Sequence, residues 1–153
     1  MTMKKLSSVL LVDDNDTTNF LNEPLLTKLG VAEAVLVARN GEEALRMLAT
    51  ACDTPATCPE LVLLDLNMPM MSGIDFLEAF QPPPPAPPIC VIVLTTTTHS
   101  RDLARLASLP HAGLLHKPLT RTKVDALLRE HFKRHLPEPG AWGWEHEAGP
   151  AVP

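Results

Sequence analysis

Apolar residues in this chain gather in short unbroken runs, and between the runs they recur at three- and four-residue intervals. The runs are Ser8-Val9-Leu10-Leu11-Val12, Ala34-Val35-Leu36-Val37-Ala38, Leu61-Val62-Leu63-Leu64, residues Ile89 to Leu94, and Ala112-Gly113-Leu114-Leu115-His116. Runs of this length without alternation predict strands buried on both faces, the kind a parallel sheet uses. The intervening stretches predict helices. Asn15 and Asp16 can cap one that carries Phe20, Leu21, Leu25 and Leu29 on one side. Pro24 lies inside it and predicts a kink or a delayed start, and Gly30 closes it. Asn40 with Glu43 forms a capping-box-like pair ahead of Ala44, Leu45 and Leu48. Met68-Pro69 and Ser72-Gly73 impose a turn before a short helix with Ile74, Leu77 and Phe80. Ser100 caps a helix with Leu103, Leu106 and Ala107, and Thr120 caps a last one with Val124, Leu127, Leu128 and Phe132. Five β-α repeats predict a parallel sheet with helices on both faces and right-handed crossovers.

Two segments stand outside this pattern. Gln81 to Pro88 is nearly all proline, so it reads as a stiff extended connector, or else as a ligand for a proline-binding domain. Residues 137–153 turn to Pro, Gly, Glu and Trp and read as a flexible tail too short to be an output domain. Trp142 and Trp144 in that tail form either a contact site or a fortuitous end sequence. The folded domain is expected over residues 8–136.

Composition narrows the classes. With 45% hydrophobic and 20% charged residues among 153, the chain can build one ordinary core. A net charge of -5 argues against nucleic-acid binding, which needs a basic face. No apolar run approaches the roughly 20 residues that span a bilayer. The run from Val9 to Val12 stops at Asp13, too early for a signal-peptide core. A cytoplasmic protein without membrane insertion is expected. Cys52, Cys58 and Cys90 match no zinc spacing and read as free thiols.

The chemistry gathers where the strands end, which is where open α/β sheets place it. The first strand runs into Asp13-Asp14, the third into Asp65, the fourth into Thr95 and the fifth into Lys117. Singly these are turn formers, caps and surface charges. Jointly they form a set. Three carboxylates in one pocket need a cation, and hard oxygen ligands suit Mg²⁺. Asp65 can then accept a phosphoryl group, with Lys117 and Thr95 contacting its oxygens. No Gly-rich loop follows the first strand, which argues against the nucleotide-binding versions of this architecture.

In these residues the chain resembles the receiver domain of two-component response regulators, of the stand-alone chemotaxis-regulator type. The matches are Val12-Asp13-Asp14, Leu64-Asp65-x-x-Met68-Pro69-x-x-x-Gly73, Leu94-Thr95 and Lys117-Pro118. The resemblance implies a flavodoxin-like (βα)5 fold with strand order 2-1-3-4-5. It implies phosphorylation of Asp65 by a sensor histidine kinase or a histidine phosphotransfer protein. Mg²⁺ would be held by Asp13, Asp14, Asp65 and the backbone carbonyl of Asn67. Thr95 and Lys117 would sense the phosphate, and the Lys117-Pro118 bond would be cis. Output would go through contact with a downstream protein, so a phospho-acceptor is implied rather than an enzyme acting on a separate substrate. The family often has an aromatic residue three places before the lysine, and Leu114 stands there instead. Leu114 is therefore expected to stay inward, leaving the switch to the Thr95 loop around His99 and Ser100. Asn67 and Thr97 flank the site and would tune phosphoryl lifetime. Two alternatives are a pseudo-receiver that only binds partners and an aspartyl-phosphate phosphohydrolase. The hydrolase needs an acid/base aspartate where Asn67 stands.

Overall fold

A computed structural model describes residues 5–54, 56–66, 68, 71–80, 89–96, 100–109 and 111–133, with backbone alone at 100–102. The polyproline connector, the tail, Asn67, Thr97 and His99 lie outside the described residues. Ten elements alternate: β1 (Leu6–Val12), α1 (Asp16–Lys28), β2 (Ala32–Ala38), α2 (Gly41–Ala51), β3 (Leu61–Asp65), α3 (Gly73–Ala79), β4 (Cys90–Thr95), α4 (Ser100–Ala107), β5 (Gly113–His116) and α5 (Arg121–Phe132). The strands form one parallel sheet ordered β2-β1-β3-β4-β5, the flavodoxin-like arrangement.

The strand runs are apolar throughout because each successive side chain meets a different helical layer. Val9 and Leu11 of β1, Leu61 and Leu63 of β3, and Ile92 and Leu94 of β4 pack toward Leu26 of α1 and toward Val124, Leu127 and Leu128 of α5. Their neighbours Leu10, Val12, Val62, Leu64, Val91 and Val93 pack toward Ala44 and Leu48 of α2, Ile74, Phe76 and Leu77 of α3, and Leu106 of α4. Period-two alternation thus sorts one apolar run into two cores.

Local expectations for α1 and α4 are corrected. Leu25 and Leu29 pack on the core as expected, but Asn19, Asn22 and Leu26 complete the buried face of α1, and Phe20 and Leu21 are 75% and 62% exposed. The cause is the Asn19 amide, which donates to the Asp13 carbonyl at 2.8 Å and turns its side of the helix inward. Phe20, one residue further round, then faces out. Pro24 lies inside α1, whose start at Asp16 is not delayed, which leaves a kink as its expected effect. The helix α4 begins at Ser100, and Ala107, expected on its apolar face, is exposed.

The cysteines differ as well. Cys52 and Cys58 are joined in a disulfide, their Cα atoms 4.1 Å apart. Cys52 caps the C-terminus of α2. The chain then turns back through Thr57, whose hydroxyl bonds the Ala51 carbonyl, and so returns Cys58 to the helix end. Sequence spacing could not reveal that return. Cys90 is the free cysteine; burial and the charge of Glu130 push its thiol up to about 11. It is therefore an inert thiol at ordinary pH.

Candidate functional site

The register sets the site. Val12 of β1 pairs with Leu64 of β3, so Asp13 and Asp65 leave the sheet side by side. Asp65 pairs with Leu94, and Thr95 pairs with His116 of β5. The strand ends therefore bring Asp13, Asp65, Thr95 and Lys117 to one rim, as the sequence predicts. Asp13 and Asp65 are each 5% exposed and Thr95 is fully buried.

Asp13 is held at every polar atom. Its N–H donates to the Ala38 carbonyl at 3.0 Å. Its own carbonyl accepts from Asn19. One carboxylate oxygen accepts the Asn15 N–H at 2.9 Å, and the other accepts from the Lys117 ammonium at 2.8 Å. Asn15 in turn caps α1 by accepting the Thr18 N–H. The helix start and the acidic pocket thus share one turn. Asn19 was missed by sequence reasoning. An amide six residues past Asp13 on an otherwise mixed helix face was its only signal.

Lys117 lies between two acids, 2.8 Å from an Asp13 oxygen and 3.2 Å from an Asp65 oxygen. Its backbone N–H donates to the Thr95 carbonyl at 3.0 Å, tying the ends of β4 and β5 together. The Lys117-Pro118 bond is cis. Burial pulls the Lys117 ammonium toward neutrality. Its hydrogen bond to Asp13 and the charges of Asp65 and Asp13 outweigh that and hold it above the ordinary lysine value. The folded chain therefore binds this proton more tightly than the unfolded chain. The resulting stability is complete below the ordinary value of 10.5 and is lost as pH rises through the raised one. Between about pH 10 and pH 12, wild-type stability should fall more steeply than that of Lys117→Met, as followed by denaturant titration. Equal slopes would exclude this linkage.

Asp13, Asp14 and Asp65 each offer a carboxylate oxygen, and these oxygens lie within 4.8 Å of one another. Three negative charges face one ammonium, leaving an excess of about two that a divalent cation would neutralise. The donors are all hard oxygens, which fits Mg²⁺. Asp14 is half-buried, at the mouth. Leu114 is half-buried and packs on the α2–α3–α4 side of the sheet, set back from the acids along β5.

The loop after Asp65 is pinned by Gly73. Its N–H donates to the Leu66 carbonyl at 2.9 Å. Ser72 and Asp75 form a reciprocal capping box that starts α3 at once. Ser72-Gly73, read from sequence only as a turn, is thus the helix start itself.

Comparison with known proteins places this geometry. The model of the response regulator receiver domain matches residues 9–129. The chain is similar to a probable chemotaxis protein CheY of Rhizobium etli, at 32% identity over 86% of this chain and 97% of that one. It is also similar to a probable methanogenesis regulatory protein, FilR2, of Methanothrix harundinacea, at 32% identity over 94% and 88%. Among solved structures, a two-component response regulator from Cytophaga hutchinsonii superposes with a TM-score of 0.72 at 27% identity, covering 85% of this chain and 99% of that one.

Proposed function

We propose that this chain, which belongs to the response regulator receiver domain family, takes a phosphoryl group onto Asp65 and signals by protein–protein contact. The observation that carries the reading is the Lys117 ammonium shared between Asp13 and Asp65 inside a three-carboxylate cluster. An Asp65 oxygen attacks the phosphorus of a phosphohistidine. The P–N bond breaks, and the imidazole leaves with the bonding pair and takes a proton. Asp13, Asp14, Asp65 and the Asn67 carbonyl would hold Mg²⁺, which when bound neutralises phosphoryl oxygens.

The roles of the chain's own groups follow from where they start. Lys117 gives up its contact with Asp65 and follows the new charge onto a phosphoryl oxygen, keeping Asp13 as its second partner. The Thr95 hydroxyl, at the end of the adjacent strand, hydrogen-bonds another oxygen. That shift pulls the β4–α4 loop and gives two states with different contacts. The Rhizobium relative, matched over 97% of its length, supports a single-domain regulator. The donor is a sensor histidine kinase or a histidine phosphotransfer protein.

The direct test is a mass spectrum after incubation with a small phosphoramidate and Mg²⁺. One phosphoryl group gained at Asp65 is expected; no gain would refute the reading. The exposed pair Phe20 and Leu21 on α1 supports a protein donor that docks beside the acids. Phe20→Ser with Leu21→Ser should slow transfer from the protein donor at least tenfold, a loss of about 1.4 kcal/mol. Phosphorylation by the phosphoramidate should stay within a factor of two, because neither side chain reaches the acids. Equal loss with both donors would assign these residues to the fold instead.

A further inference from the structure

We infer that Lys123 is the positioning residue that fixes Lys117 in the site, an inference that rests on the phospho-acceptor reading above. The Lys123 ammonium donates to the His116 carbonyl at 2.6 Å and to the Pro118 carbonyl at 2.9 Å. Those are the residues on either side of Lys117. One cation therefore bridges the carbonyls of the two residues that flank the lysine meeting Asp13 and Asp65.

Lys123 itself is anchored. It is the third residue of α5, and its backbone N–H donates to the Oγ1 of the cap residue Thr120 at 3.2 Å. The side chain thus reaches back from a fixed helical turn across the loop it steadies. Lys117 is then held at three places: its N–H by Thr95, its ammonium by two acids, and its flanking carbonyls by Lys123.

Helix electrostatics do not account for a cation at this position. The N-terminal turn of a helix favours negative charge. The first turn of α5 holds no acidic residue and carries Arg121 and Lys123. What offsets that unfavourable placement at Lys123 is the pair of carbonyls. Two charge-assisted bonds from one ammonium are stronger than neutral ones. They act on the turn rather than on the helix. Without them the 116–118 backbone can rotate the Lys117 side chain out of line with Asp65, and small misplacements near a reacting centre cost rate steeply.

The test is a double-mutant cycle read by phosphorylation of Asp65 from a small phosphoramidate at saturating Mg²⁺. Lys123→Met should slow phosphorylation by about tenfold, and Lys123→Arg, which keeps the charge and the donors, should recover most of it. In a Lys117→Met background, Lys123→Met should change the residual rate less than about twofold, because its target is gone. An undiminished rate in Lys123→Met, or an equal loss in both backgrounds, overturns the proposal. A second measurement does not need phosphorylation. In the unphosphorylated protein, the Lys117 side-chain ¹⁵N signal should move toward the free-lysine position in Lys123→Met and stay put in Lys123→Arg. If wild-type protein takes no phosphoryl group, the functional reading fails. The ¹⁵N signal then decides on Lys123 alone: movement supports its positioning role, and an unmoved signal refutes it.

Discussion

Asp65→Asn is expected to abolish phosphorylation while leaving the fold intact. Asparagine keeps the shape of the side chain and loses its nucleophilic charge. The rate from a small phosphodonor should drop by at least about 10³-fold, equivalent to roughly 4 kcal/mol of barrier. Stability should change little. Lys117 keeps its 2.8 Å partner Asp13, and one like charge leaves a crowded pocket. Asp14→Ala should also lose Mg²⁺-dependent phosphorylation and keep its fold, since Asp14 is half-buried at the mouth. Asp13→Ala should behave differently. It removes the acceptor of the Asn15 N–H and one of two partners of a mostly buried ammonium. A stability loss of about 2–3 kcal/mol should accompany its loss of phosphorylation. Mass spectra and denaturant curves on the three variants separate these cases. Normal phosphorylation of Asp65→Asn would show that the acceptor lies elsewhere.

The contrast between those acids marks how far the sequence could be read. Apolar runs that end in polar residues carried the sheet and the rim, because strand burial and strand-end chemistry are both written at single positions. The strand order followed from the resemblance and holds. What escaped were contacts made across the chain by groups of no fixed role. Asn19 turns inward because a carbonyl six residues back needs a donor, and that need appears only once β1 and α1 are docked. The same docking leaves Phe20 outside, against its hydrophobicity. Cys52 and Cys58 meet because a short loop doubles back, which cysteine spacing does not encode. Lys123 looks like one more surface charge until the β5–α5 turn brings two carbonyls under it.

Leu114 bears on the switch rather than on the fold. It is half-buried against the α2–α3–α4 core, where an inward leucine already contributes apolar contact. A larger side chain there would be needed to couple strongly to Thr95. The switch is therefore best sought in the backbone around Thr95, where Lys117 also attaches. Amide shifts with and without beryllofluoride would locate it.

Gly73→Ala is expected to be the most damaging small substitution near the site. A Cβ built on Gly73 would lie 2.5 Å from the Asp65 carbonyl oxygen and 2.9 Å from the Leu66 Cα. Both are backbone atoms, so no side chain can rotate away. Either β3 or the start of α3 must move, and the 2.9 Å bond from Gly73 N–H to the Leu66 carbonyl breaks. The overpacking should cost about 3 kcal/mol, at the upper end of the usual range. Displacing the Asp65 backbone by even about 1 Å should slow phosphorylation on the order of 10²-fold. Two other glycines calibrate the claim. At Gly41 an added Cβ meets Met71 Cγ and Sδ at 2.7 Å, flexible atoms that can shift, so the cost should be smaller, about 1 kcal/mol. At Gly113 the nearest atom is Ile92 Cδ1 at 3.4 Å, and Ala should be tolerated within about 0.5 kcal/mol. Denaturant midpoints and phosphorylation rates on the three alanine variants test the order. If Gly73→Ala matches wild type in both, the close approach of α3 to the Asp65 backbone does not control the geometry of the acceptor.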